Sequence, residues 1–272
     1  MEILIFCNQQ DAIALSLFRQ LRSKGERVRL VTAENLSYAT SWIHEIDAEG
    51  NGFTEIILQD GKIIRSDEAQ AVWNRIRFFP MAHFKNDTDR FYAQNEMHAL
   101  YYSFLKSIRG ALINPVYTYD LALEEENMLY LNRQAINAGL PVMDYHFTTS
   151  PKWQSSKEMV PFNVSKTSSS VFRRIAPHLV WQNQPALFTE IATSVTDTWI
   201  VGDQVIGNDS FLKNEALITL TKGLKKILLQ VRVAKAANEY KVSQLNTFPL
   251  AAPETVIEAL GILLTKKTAQ PQ

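Results

Sequence analysis

The segment VSQLNTFPL, residues 242–250, places Gln244 and Asn246 two residues apart on a short alternating run that Pro249 brings to an end. Alternate positions of a strand face the same way, so such a run can aim two side-chain oxygens at one point. With a carboxylate at position 244 the pair would suit a hard divalent cation. With Gln244 it offers two neutral amides, a poor magnesium set. The segment reads either as a cation-binding strand one carboxylate short or as an ordinary strand end. A second pair stands in AVWNRIRF, residues 71–78, which alternates and brings Arg75 and Arg77 to one side near its end. Two guanidinium groups side by side make a cationic face suited to carboxylates. The alternative is a salt bridge to a helix carboxylate such as Glu96, and an arginine oriented by Glu96 could do both.

Other reactive side chains point nowhere in particular. The five histidines (44, 83, 98, 146 and 178) lack ligand spacing, which speaks against zinc. Cys7, the single cysteine, ends an apolar run and reads as core; alone it supports no disulfide framework. The acidic triplet 124–126 reads as a helix start, and the basic KGLKK (222–226) as a solvated helix face. No phosphate-cradling P-loop and no Gly-x-Gly-x-x-Gly string occurs. Lys+Arg and Asp+Glu are balanced at 28 each, so no basic field gathers nucleic acid. The apolar start of about five residues is too short for a signal core or a membrane span, and a cytoplasmic protein is expected.

The elements that must hold these residues are legible in outline. Residues 3–6 read as a strand and Asp11 opens a helix through Ile13, Leu17 and Leu21 that Gly25 closes. RVRLVT then follows as a parallel strand. Residues 54–65 read as a hairpin around Asp60-Gly61, and 89–108 as a long helix stopped by Gly110. ALINP reads as a further strand. In the second half, a helix ends at Gly139, and strands follow at MDYHFTTSP, VPFNVSK, PALFTEIA and TDTWIVGDQVIG, the last two antiparallel. NEALITLTKGLKKILLQV reads as one amphipathic helix, RVAKAANEYKVSQLN as a strand hairpin and PETVIEALGILLTKK as a closing helix.

This order of elements resembles the ATP-grasp superfamily. Within it the nearest likeness is to the ligases that install ester or amide cross-links in ribosomally made peptides (microviridin-type maturases), themselves similar to RimK and glutathione synthetase. The strings that carry the resemblance are AVWNRIR (71–77), Glu96, LINP (112–115), NRQAINAGLPV (132–142), FNVSK (162–166), FTEI (188–191), WIVGDQVI (199–206) and VSQLNTFP (242–249). They run in family order over nearly the whole chain. The resemblance implies an α/β (α+β) ATP-grasp fold. An N-terminal α/β domain at 1–115 would precede two ATP-grasp subdomains at 116–185 and 186–268 and a tail at 269–272. It implies ATP and Mg2+ as cofactors and an acyl phosphate formed on a peptide carboxylate. Lys166 would contact phosphate, Glu190 adenine or ribose, Asn246 the metal, and Arg75 or Arg77 the substrate carboxylate.

The chain also departs from the pattern. Met128 stands where a phosphate-binding lysine belongs, eleven residues before Gly139, and Trp199 roughly where an arginine often steadies the phosphates. The strand before VSQLN offers Arg232 and Lys235 instead of an aspartate, and Gln244 replaces glutamate. Cations at that place repel magnesium. The expectation ranked first is a degenerate, non-catalytic or weakly nucleotide-binding partner in peptide modification, a pseudoenzyme dimerised with an active ligase or with itself. The alternative is a working carboxylate–amine or carboxylate–hydroxyl ligase, and a third reading is a binding module for a small anion. No membrane or nucleic-acid partner is expected.

Overall fold

The computed structural model describes residues 2–81, 83–113, 128–148, 159–163, 173–174, 186–207, 211–236 and 238–268. The chain divides into two compact units, Met1–Glu124 with Ala251–Gln272, and Glu125–Leu250.

In the first unit, β1 (Glu2–Cys7) is buried over its apolar run, as a central parallel strand must be. Asp11 caps α1 (Ala12–Ser23), its Oδ1 accepting the Ala14 N–H at 3.0 Å. β2 (Val28–Thr32) returns parallel to β1, and Thr32 with Asn35 forms a capping box on the short α2 (Ala33–Ser37). A small antiparallel sheet follows, β3 (Ser41–Ile46), β4 (Gly52–Ile57) and β5 (Ile63–Arg65), with the expected turn at Gly61, φ 77°. β6 (Ala69–Arg75) pairs parallel to β1, α3 (Asp87–Ser107) crosses over, and β7 (Ala111–Ile113) completes a sheet ordered β2-β1-β6-β7. Leu4, Phe6 and Val72 on one face pack with Tyr101, Phe104 and Leu105 of α3. Ile3, Ile5 and Trp73 alternate to the other face, where Ile13, Leu17 and Leu21 of α1 are also buried.

The second unit opens with α4 (Met128–Asn137), closed by Gly139 at φ 81°. β8 (Tyr145–Thr148), β9 (Met159–Asn163), β10 (Arg173–Arg174) and β11 (Ala186–Glu190) form an antiparallel sheet in the order β10-β9-β11-β8. β12 (Ser194–Val201), β13 (Gln204–Ile206), α5 (Asn214–Gly223), β14 (Leu228–Ala236) and β15 (Glu239–Asn246) follow, their strands ordered β13-β12-β14-β15. Leu131 and Ala135 of α4 and Leu217 and Leu220 of α5 share a core with Ile200, Leu229, Val231, Val233, Val242 and Leu245 of this sheet.

Three sequence expectations change here. The helix expected over the whole of NEALITLTKGLKKILLQV stops at Gly223, because Lys225 takes a left-handed conformation (φ 54°) and Leu228–Val231 pairs with β12 and β15. β11 is not the antiparallel neighbour of β12; it pairs with β8 and β9 in the other sheet. The last helix, α6 (Glu254–Thr268), was expected to close the second half, yet it packs on α1 and β6 of the first unit.

Candidate functional site: a polar row on the second sheet

Alternation decides which side chains of the β13-β12-β14-β15 sheet meet. Thr198, Ile200, Val231, Val233, Val242 and Leu245 lie on the helix-covered face or at its core. The residues between them, Asp197, Trp199, Gln230, Arg232, Gln244 and Asn246, take the opposite face. The ladder sets them in rows: Asp197 opposite Arg232 opposite Gln244, and Trp199 opposite Gln230 opposite Asn246.

Within these rows donors and acceptors close into a chain. The Phe248 N–H donates to Asn246 Oδ1 at 3.0 Å, and Asn246 Nδ2 donates to Gln230 Oε1 at 3.1 Å. Gln230 Nε2 then donates to Asp197 Oδ2 at 3.0 Å. From the other side Arg232 forks onto Asp197, Nε to Oδ1 at 2.9 Å and Nη2 to Oδ2 at 3.3 Å, and reaches Gln244 Oε1 through Nη1 at 3.4 Å. Asp197 and Arg232 keep about a third of their side-chain surface in contact with solvent, 34% and 32%. Asp197, Gln230 and the hydrogen bond between their adjacent rows are not singled out by the sequence. The signal was present in TDTWIV and LLQVRV, where polar residues alternate with core residues, but which strands are neighbours is not written in either string.

The next row along this face belongs to Lys241, opposite Ala234. Its ammonium bonds both oxygens of Glu190 at the end of β11, at 3.1 and 2.9 Å, with both side chains largely buried. Glu190, expected beside adenosine, thus stands in an ion pair. Tyr145 of β8 donates its hydroxyl to the Ser243 carbonyl, and burial, then the Glu190 charge, push its phenol well above the usual range. Ser243 is the extra residue of a bulge, where the register shifts between Arg232 and Val233.

The remaining expected site residues fall elsewhere. Lys235 is opposite Tyr240, its ammonium 5.8 Å from that ring, and Tyr240 packs on the helix-side core. Three positions from Arg232, it faces away from the polar row, so the two cations expected together are on opposite faces. Trp199, already placed opposite Gln230, is buried there, and Met128 opens α4. Lys166 lies outside the described residues. In the first unit, β6 ends at Arg75, so Arg77 is not the next residue of the same strand face. Arg75 is 1% exposed and donates through Nε to Asp11 Oδ2 at 2.5 Å, its guanidinium 5.1 Å from the Trp73 ring. The salt-bridge partner is therefore Asp11 of the α1 cap, while Glu96 is exposed on α3. Arg77 is partly exposed, its N–H donating to Asn8 Oδ1 at 2.8 Å. Among the described residues, no group of three or more His, Cys, Asp or Glu side chains could hold a metal ion, and no helix is long and apolar enough to cross a membrane.

Comparison of the whole chain with solved structures identifies the fold. It aligns with the macrocyclase MdnC of Microcystis aeruginosa, bound to its precursor peptide MdnA, at a TM-score of 0.72 and 15% identity, covering 98% of this chain and 100% of that one. The ATP-grasp ligase PsnB, complexed with a minimal precursor, Mg and ADP, aligns at 0.72 and 16% over 98% of both chains. A RimK-domain ATP-grasp protein from Sphaerobacter thermophilus aligns at 0.53 and 10%, over 97% of this chain and 100% of that one. No protein-family profile and no curated sequence matches. The chain has an α/β ATP-grasp fold.

Proposed function

We propose that this chain is a diverged ATP-grasp protein of the peptide-maturase type, a non-catalytic or weakly nucleotide-binding partner in the modification of a peptide. The observation that carries this reading is the closed chain of hydrogen bonds from Phe248 through Asn246, Gln230 and Asp197 to Arg232 and Gln244. Magnesium needs oxygen donors, preferably anionic. In this row the one carboxylate is forked by a guanidinium, and the oxygens of Asn246 and Gln230 already accept N–H groups. Two like unit charges about 4 Å apart repel by about 4 kcal/mol at the effective dielectric of a protein surface, and a divalent ion doubles that. The Asp197 carboxylate, paired with Arg232, at most cancels that repulsion and leaves no net attraction for a dication, so the row does not suit magnesium.

The peptide part of the reading is supported by the fold neighbours that hold precursor peptides. It places the protein in the cytoplasm, beside an active ligase or as a pair with itself. The competing reading, a working ligase, would use Lys166 for phosphate, Glu190 for adenosine, Asn246 for the metal and Arg75 or Arg77 for the substrate carboxylate. It gains from the Mg and ADP bound in PsnB. Calorimetry with ATP, with and without magnesium, together with an assay for ADP release, separates the two. The expected result is no magnesium-dependent binding and no ADP. Magnesium-dependent binding with turnover, lost in Lys166→Ala, would establish the ligase.

A further inference from the structure

The polar row has a second property besides its lack of a metal site: its two cations keep N–H groups that their carboxylate and amide partners do not take up. Asp197 accepts three N–H groups, one at Oδ1 and two at Oδ2. Both oxygens of Glu190 accept from Lys241. The donors are not exhausted. A guanidinium carries five N–H bonds and an ammonium three. Arg232 spends three, leaving one on Nη1 and one on Nη2, and Lys241 spends two, leaving one. Lys241 stands opposite Ala234, the next position after Arg232 on that face of β14. The face is formally neutral, counting Asp197 with Arg232 and Glu190 with Lys241, and what it can still offer a ligand includes donors on two cations.

We infer that Arg232 is a built-in cation, held by Asp197 so that its free Nη1 and Nη2 bonds receive an oxyanion, phosphate or carboxylate, directly and without a divalent ion. A guanidinium can grip one carboxylate through its Nε side and a second through its two terminal nitrogens. Asp197 fixes the plane of the fork, which lowers the entropy lost when the second anion arrives. About a third of the Arg232 side chain is exposed, and Lys241 adds a further donor on the same face. The inference rests on the reading that this row takes no magnesium, and extends it by giving the row a ligand class.

The test titrates the full chain with inorganic tripolyphosphate and, separately, with a tetraglutamate peptide, each in excess EDTA and again in excess magnesium. Binding of either in EDTA, not strengthened by magnesium and weakened about tenfold or more in Arg232→Met, is the expected result. Whether the first or the second binds tells a phosphate source from a carboxylate one. Arg232→Lys keeps the charge without the fork and should also bind several-fold more weakly. It serves where the methionine variant does not fold. Silence from both probes, binding that requires magnesium, or binding unchanged in the folded variants overturns the inference. Silence without ADP release leaves the non-catalytic reading standing, whereas magnesium-dependent ATP turnover overturns both.

Discussion

Cys7 ends β1 beside Asp11, Arg75 and Glu34, fully buried, and its environment makes it inert at neutral pH. Burial is the largest cause and the Asp11 charge adds to it, pushing the thiol from 9.0 up to about 12 against the lowering pull of Arg75. The thiolate is the reactive form, so Cys7 should resist alkylation until the chain unfolds. The stability consequence has a definite sign. Above pH 9.0 the unfolded thiol gives up its proton while the folded one keeps it until about 12. In that window the native state binds more protons, so stability falls as pH rises, by at most about 1.4 kcal/mol per pH unit. Tyr101, also fully buried and raised, works in the same direction, so the measurement is a difference. Urea midpoints of wild type should fall faster over this range than those of Cys7→Ala; parallel curves would refute the assignment. The same neighbourhood shows why the string alone leaves the partner of Arg75 open. Two arginines at alternate positions look like a ligand-binding face, but the strand stops at the first of them, and the carboxylate that claims it is 64 residues away in sequence.

Local patterns predicted elements well where one chemical signal sufficed. Asp11 before an apolar period gave the α1 cap, Asp60-Gly61 the β4–β5 turn, and Gly139 the end of α4. They failed where a pairing partner decides the outcome: the apolar run after Gly223 suits helix and strand alike until the ladder to β12 and β15 claims it. Gly110 shows the same limit. It reads as the stop of α3, which follows from its helix-breaking tendency, but its necessity comes from packing. A Cβ there would lie 2.3 Å from the Ala69 carbonyl oxygen and 2.4 Å from that of Gln70, at the start of β6. Both obstacles are backbone in the central sheet and cannot swing aside. Gly110→Ala should therefore destabilise the protein by roughly 2 kcal/mol, in spite of alanine's advantage in chain entropy. Gly223→Ala, where a Cβ meets nothing within 4 Å, is the control expected to change stability far less. Equal urea midpoints for the two variants would show that the β6–β7 approach is loose.

For the molecule as a whole, the fold was readable because the order of many weak strings is more specific than any of them. The site was readable in part, since what each side chain faces depends on strand neighbours. The path of the chain was the least legible feature. It leaves the first unit before α4, builds the second, and comes back after Leu250 to lay α6 on α1 and β6. An amphipathic terminal helix says that it must cover something, not what. Val256, Ile257, Leu260 and Leu264 of α6 are buried, and Gly261 brings the helix close to Gln20 and Leu17 of α1. Removing four large aliphatic side chains from their cover costs on the order of 6 kcal/mol, comparable to the whole stability of a domain. A chain ending at Leu250 should thus lose the first unit while its second unit keeps its own core of Leu131, Leu217, Val231 and Val242. Hydrogen exchange on the truncated chain is expected to show fast exchange in β1 and β6 with protection retained in β12, β14 and β15. The opposite distribution, an open second sheet with β1 still protected, would mean that α6 stabilises the unit it follows in sequence rather than the one it packs on.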